Sequence, residues 1–184
     1  MILAAIDIGS NAARLLITEV TTYKDGTVDY TKLNLLRIPL RLGFEVFETG
    51  LISEEKSKMV LDTMKVYRLM MDIYKVEHYR ACATSAMRDA QNGKEIIGYV
   101  KAETGIAIDI ITGADEANII YETHIAENID SHETFLYIDV GGGSTELTMF
   151  AQGNIIFKES FNIGTIRLLN NQVTDAQLEH FKWF

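Results

Sequence analysis

The chain has 184 residues, enough for one domain and part of a second. Seventeen basic residues stand against 26 acidic ones, a net charge of −9, which argues against non-specific nucleic-acid binding. An anionic ligand stays open if backbone N–H groups, a few arginines and a metal ion hold it locally. The one cysteine, Cys82, excludes an internal disulfide and fits a reducing, cytoplasmic compartment. No stretch approaches the roughly 20 apolar residues of a membrane span, and no basic n-region of an export signal precedes the first strand.

Residues 3–8 and 13–20 read as antiparallel strands around a turn, "DIGSNAA". A third strand, "VDYTKLNLLRIPLRL", carries the only proline, Pro39, which suits an edge or a strand end. "GFEVFETG" reads as a loop, with Gly43 and Gly50 as breaks. Ser53 then looks like an N-cap, and Val60, Met64, Tyr67, Met71 and Tyr74 recur at helical spacing, predicting a helix over 54–75. A short strand at 79–84 holds Cys82 as a buried small residue. It is followed by a small-residue connection that contains Arg88. A helix from Asn92 or Gly93 to about Glu103 is closed by Gly105, and "IAIDII" (106–111) is a strand. "GADEANIIYETHIAENI" is a third helix, with Asp115 and Glu116 in its first turn. After a polar gap at 127–133 come the strand "TFLYIDV", a glycine turn, a strand near 155–161, a helix after "NIGTIRLLN" and the start of another at 175–184. The four histidines (His78, His124, His132, His180) share no ligand spacing and take no role.

"YIDVGGGSTEL" repeats the first turn. With Asp7 laid on Asp139, Ile6 falls on Ile138, Gly9 on Gly141 and Leu15 on Leu147, at an offset of 132 residues. Two such hairpins one domain apart suggest a duplicated fold whose glycine turns face each other across one cleft. The element order is that of an α/β chain: a ribonuclease-H-like lobe over 1–126, then the beginning of a second, similar lobe over 127–184 that stops partway. The chain is thus expected to be part of a longer protein.

The chemistry follows from the residue types. Glycine admits the main chain to a phosphate, and successive N–H groups form a concave anion site. Ordinary hairpin turns are the plain alternative. An aspartate beside a phosphate makes sense with Mg²⁺, or another divalent cation, between them. Ser10, Asn11, Ser144 and Thr145 add donors, while Arg14 and Glu146 hold matching places after the two turns. Arg88 could clamp phosphate oxygens with its planar fork, or form a surface salt bridge with Asp89 or Glu95. Asp115 and Glu116 could be mere dipole partners, but a helix start also keeps a carboxylate ionised, ready to take a proton from water.

"AIDIGSNAARLLI", "ATSAMRDA", "ITGADEANIIY", "YIDVGGGSTEL" and "FNIGTIRLL", in this order, resemble the exopolyphosphatase/guanosine pentaphosphate phosphohydrolase family, of the actin/hexokinase/Hsp70-like superfamily. The resemblance covers essentially the whole chain. It implies hydrolysis of a terminal phosphoanhydride in polyphosphate or guanosine pentaphosphate, with Glu116 as general base. It puts phosphate contacts on Ser10, Asn11, Arg14, Arg88, Gly141, Gly142, Gly143 and Ser144, and metal-linked acids at Asp139 and Glu146. Ala12 replaces the family's usual serine, and Asp115 its usual glutamate. No nucleic acid or membrane partner is expected, and a homodimer is admitted for the full-length protein. The rival readings are a small-molecule kinase of the same superfamily and a non-catalytic nucleotide- or alarmone-sensing module.

Overall fold

The structure is a computed structural model and describes residues 1–116, 118–119, 134–152 and 154–183. Strands β1 (Ile2–Ile8), β2 (Ala13–Thr22), β3 (Val28–Ile38), β4 (His78–Ala83) and β5 (Asp109–Ile110) form one sheet in the order β3-β2-β1-β4-β5. β1 pairs antiparallel with β2 and parallel with β4, so the chain crosses over between them through helices. These are α1 (Leu42–Thr49) and α2 (Glu54–Ile73), while α3 (Ser85–Asp89) and α4 (Gly93–Thr104) follow β4. A second sheet, β6 (Thr134–Val140), β7 (Thr145–Ala151) and β8 (Asn154–Phe161), is followed by α5 (Thr165–Leu169) and α6 (Asp175–Lys182). This is the α/β ribonuclease-H-like lobe expected from the sequence, with the opening strands of a second. The expected boundary at 126/127, the polar gap and most of the helix predicted from Gly113 lie outside the described residues.

The apolar alternation of β1 and β2 builds the first core. Ile6, Ile8, Leu15 and Ile17 face α2, which returns Val60, Met64, Tyr67 and Met71. Ser53 caps α2 as the sequence suggested, its side chain accepting from Lys56 N at 3.3 Å. Gly105 takes the left-handed conformation that ends α4.

"GFEVFETG" is a correction: it is helix α1, not a loop. Leu42, Val46 and Phe47 are buried on one face, and Gly50 (φ 76°) is the terminator, its N–H donating to the Val46 carbonyl. "IAIDII" is also shorter than predicted, since only Asp109–Ile110 pairs with β4.

The internal repeat holds at the level of register. Asp7 pairs with Arg14 and Asp139 with Glu146, while Ile6–Leu15 matches Ile138–Leu147. Each turn closes alike, with Gly9 N donating to Ala12 O at 3.0 Å and Gly141 N to Ser144 O at 2.8 Å. The two lobes differ in cover. Ala4, Ile6 and Ile8 are 7%, 3% and 1% exposed beneath α2, whereas their counterparts Leu136, Ile138 and Val140 are 52%, 54% and 58% exposed. In the second lobe, α6 packs on Leu147 and Phe161 through Leu178 and Phe181, not on β6.

The second glycine turn is wedged against the first lobe. A Cβ on Gly143 would lie 2.3 Å from Ser85 Oγ and 2.5 Å from the Phe47 ring, and one on Gly142 would lie 2.9 Å from Ile166 and 3.1 Å from Ser10 Cβ. Gly143→Ala is therefore expected to cost about 1–3 kcal/mol through overpacking. Gly98, exposed within α4 with nothing within 4 Å of its Cβ position, is the control: Gly98→Ala is expected to stabilise by about 0.5–1 kcal/mol. Denaturant unfolding of both variants checks the pair; a neutral Gly143→Ala would remove the wedge.

Candidate active site

Both glycine turns border one cavity of about 400 Å³. Gly9, Ser10, Asn11 and Ala12 line it from the first lobe, and Gly141, Gly142 and Ser144 from the second. Asp7, Asp139, Arg14 and Glu116 line it as well.

Helix starts set the direction of the turn peptides. In the first turn, Gly43 N donates to Ser10 O and Arg41 N to Asn11 O, each at 2.8 Å. In the second, Thr165 N donates to Gly141 O at 3.0 Å, Ile166 N to Gly142 O at 2.9 Å and Arg167 Nε to Gly143 O at 2.7 Å. In a trans peptide the next N–H points opposite to the carbonyl. With their carbonyls held by α1 and α5, the turns direct the N–H groups of Asn11, Ala12, Gly142, Gly143 and Ser144 the other way. Among the described residues no acceptor is found for these five. Consecutive free N–H groups on a concave wall form an anion nest. None of Gly141, Gly142 and Gly143 has a positive φ, so closeness of approach, not turn geometry, demands glycine at 142 and 143. The approach is to the first lobe as much as to any ligand.

The carboxylates crowd the same space. Arg14 Nη1 is 2.8 Å from Asp7 Oδ2, so this arginine neutralises the aspartate opposite it in the β1–β2 pair. Burial nevertheless holds the Asp7 pKa above its ordinary value, against the Arg14 hydrogen bond, with Asp139 adding to the rise. Glu146 is almost fully buried. Ser160 Oγ donates to its Oε1 at 2.7 Å, and burial raises its pKa against that bond and one from Ser144. Glu146 is not on the cavity wall.

Asp115 and Glu116, adjacent in sequence, divide the two roles that the sequence left open. Asp115 accepts from Thr112 N at 3.1 Å and from Thr112 Oγ1 at 2.6 Å, which holds its pKa low and makes it a helix-start partner. Glu116 reaches the cavity, and its Oε2 is buried without a hydrogen-bond partner. The expectation that the helix start keeps Glu116 ionised is reversed. Burial first, then Glu146 and Asp7, push its pKa up to about 7, against the pull of Arg88.

Arg88 stands one layer behind the wall. Its Nη1 donates to the carbonyl of Ile111, a wall residue, at 2.9 Å, and its Nε is 3.8 Å from Asp89. Of the residues singled out in the sequence, Ser10, Asn11, Arg14, Glu116, Asp139, Gly141, Gly142 and Ser144 therefore meet at the cavity. Arg88, Gly143 and Glu146 support it from behind. Ser10 Oγ is itself buried and shares a 2.8 Å hydrogen bond with Ser85 Oγ. Sequence reasoning missed α1, Ser85 and Arg167. The recurrence of Leu42, Val46 and Phe47 on one helical face was the available signal for α1.

The donor set fits Mg²⁺, which prefers carboxylate, water and phosphate oxygens and keeps much of its water. Asp7 and Asp139 face one cavity from opposite lobes and repel one another. Among the described residues no group of three or more metal-ligating side chains is preformed. A cation here would be held through water and the ligand's own oxygens.

A ribonuclease-H-like lobe whose glycine hairpin faces its own repeat across one cavity is the arrangement of the actin/hexokinase/Hsp70-like superfamily. The chain belongs to the Ppx/GppA phosphatase family, whose family model matches residues 20–182. It is 35% identical over 96% of its length to a bifunctional 3-dehydroquinate synthase/phosphatase of Fusobacterium nucleatum, and 31% identical over 90% to exopolyphosphatase 2 of Mycobacterium tuberculosis. It spans 28% and 53% of those two proteins. The crystal structure of an exopolyphosphatase from Cytophaga hutchinsonii superposes with a TM-score of 0.82 at 32% identity, over 93% of this chain and 53% of that one. A family member from Aquifex aeolicus gives 0.76 at 30% identity, over 98% and 59%.

Burial of Glu116 has a thermodynamic sign. A carboxyl whose pKa is raised on folding weakens the fold, and the penalty grows between the unfolded value, near 4.5, and the folded value, about 7. Glu116→Gln is thus expected to melt higher than the parent at pH 8, the gap closing as pH falls toward 4. Thermal melts at pH 8, 6 and 4 check this; a variant that melts lower at pH 8 contradicts the burial of an unpaired charge.

Proposed function

We propose that this chain carries the phosphate-binding and water-activating portion of a phosphohydrolase that releases the terminal phosphate of polyphosphate, or of guanosine pentaphosphate, with Mg²⁺. The observation that carries the reading is the buried, unpartnered Glu116 Oε2 in a cavity walled by two anion nests. A carboxylate with a pKa near 7 and no partner has a free lone pair for a water proton. The relatives, an exopolyphosphatase and a bifunctional synthase/phosphatase, support the same class. Among the described residues no helix is long and apolar enough to cross a membrane.

In this reading the terminal phosphate sits between the two turns. The N–H groups of Asn11, Ala12, Gly142 and Ser144 bind its oxygens. Arg88, behind Ile111, adds positive potential as charge builds on the equatorial oxygens. Mg²⁺, when bound, supplies the charge that allows a polyanion to lie beside Asp7 and Asp139. Glu116 orients a water and accepts its proton. The water oxygen bonds to the terminal phosphorus, and the bridging oxygen leaves with the shortened chain. Positioning and electrostatics supply the rate, as is general for phosphoryl transfer.

Phosphate release from polyphosphate and guanosine pentaphosphate, side by side and with and without Mg²⁺, tests the class. Glu116→Gln is expected to lose about 10²–10⁴ in kcat at unchanged or improved substrate affinity. A kcat near that of the parent ends the general-base role. Asp139→Asn is expected to shift the Mg²⁺ titration to higher concentration, and an unchanged titration removes Asp139 from the metal site. In the parent, kcat/KM is expected to fall below about pH 7 as Glu116 takes up its proton. A flat profile between pH 6 and 8 contradicts that assignment.

A further inference from the structure

Arg167, in the segment "NIGTIRLL", is tied to three groups at once. Its Nε donates to the Gly143 carbonyl at 2.7 Å, its Nη2 pairs with Asp89 Oδ2, and its guanidinium lies 3.9 Å from the centre of the Phe47 ring. Its side chain is only 13% exposed. The three partners sit on the second glycine turn, on α3 and on α1, so one planar fork bridges the two lobes.

Asp89 is the next residue after Arg88. Its Oδ1 is 3.8 Å from Arg88 Nε, within ion-pair range but beyond a hydrogen bond, while its Oδ2 is taken by Arg167. Arg88 is turned instead toward the carbonyl of Ile111, a residue of the cavity wall. We propose that Arg167 is a positioning residue that occupies Asp89 and so keeps Arg88 on the Ile111 carbonyl, where its charge acts on a phosphate in the cavity from behind the wall. The Gly143 and Phe47 contacts fix the fork in the place where it can do this. Without it, the nearest cation to Asp89 is Arg88, already within ion-pair range, and a carboxylate beside a guanidinium closes to a charge-assisted hydrogen bond. The inference rests on the phosphohydrolase reading for its effect on rate, though not for the rearrangement itself.

Two measurements test it. The crystal structure of Arg167→Met is expected to show Arg88 moved from the Ile111 carbonyl onto Asp89. Arg88 still on Ile111 overturns the proposal whatever the activity. In the phosphate-release assay with polyphosphate and Mg²⁺, Arg167→Met is expected to lose about 10²-fold in kcat, as when one donor to a developing charge is withdrawn. Arg167→Met/Asp89→Asn is expected to recover most of that loss, because no carboxylate remains to capture Arg88. Arg167→Lys, which keeps a cation beside Asp89 and tolerates the Phe47 face, is expected to stay within about tenfold of the parent, since it gives up only the fork that reaches Asp89 and the Gly143 carbonyl together. A double variant as slow as Arg167→Met, or an Arg167→Met as fast as the parent, also overturns the proposal. Melting temperatures identify any variant that fails to fold, and Arg167→Lys then carries the kinetic arm: a loss of 10²-fold or more in a folded Lys variant counts against it. If the parent releases no phosphate, the phosphohydrolase reading fails, and the position of Arg88 in the Arg167→Met crystal still decides this one.

Discussion

The structure depends on a backbone contact between lobes. The turn at Gly142 and Gly143 lies so close to Ser10, Ser85, Phe47 and Ile166 that no Cβ fits at either position. This contact sets the width of the cleft. It brings two repeats of one hairpin into facing positions, and it buries carboxylates from both lobes in a single small volume. The acidic crowding at Asp7, Asp139, Glu116 and Glu146 follows directly, because burial and mutual repulsion act on groups that the contact leaves no room to separate.

A site made this way carries an electrostatic deficit while it holds no ligand. Arg14 offsets Asp7, and Ser160 and Ser144 offset Glu146. Glu116 has no such partner on its buried oxygen. The unpaired group is the one to which the proposed function assigns the attacking water, whereas its neighbour Asp115 is consumed by Thr112 in starting the helix. Unsatisfied polar groups cluster where chemistry is done, and the rest of the fold bears their cost.

The two anion nests show how duplication and divergence combine. Ser10 and Gly142 are equivalent positions of the repeat, and in each lobe the carbonyl there is held by the start of a helix. The helices hold matching places: α1 follows β3 and α5 follows β8, each the third strand of its lobe. The shared constraint is peptide geometry, since a carbonyl pinned on one side turns an N–H to the other. Arg167 extends the device by holding Gly143 with a side chain where no backbone donor reaches.

Much was legible in the sequence because it is local. Period-2 and period-3.6 patterns placed β1, β2, α2 and α4, and the match of "DIGSNAARL" with "DVGGGSTEL" foretold the duplicated hairpins and their common cavity. Helix α1 was missed, because Gly43 and Gly50 look like loop residues and outweighed the helical recurrence of Leu42, Val46 and Phe47. Only the packed structure shows that Gly50 ends a helix and that a Cβ on Gly43 would lie 3.0 Å from Ser10 Cβ. The ionisation of Glu116 was misread for a related reason. A helix start is a local effect, but the burial and the distant acids that outweigh it arrive from other parts of the chain. Residue types and spacings by themselves determined which groups are available for phosphate chemistry. Tertiary structure alone decided which of them reach the cavity, which stand behind it and which carboxyl keeps its proton up to about pH 7. Those properties depend on distances between separate segments of the chain, such as those that carry Asp7, Glu116 and Glu146, and sequence spacing does not encode such distances.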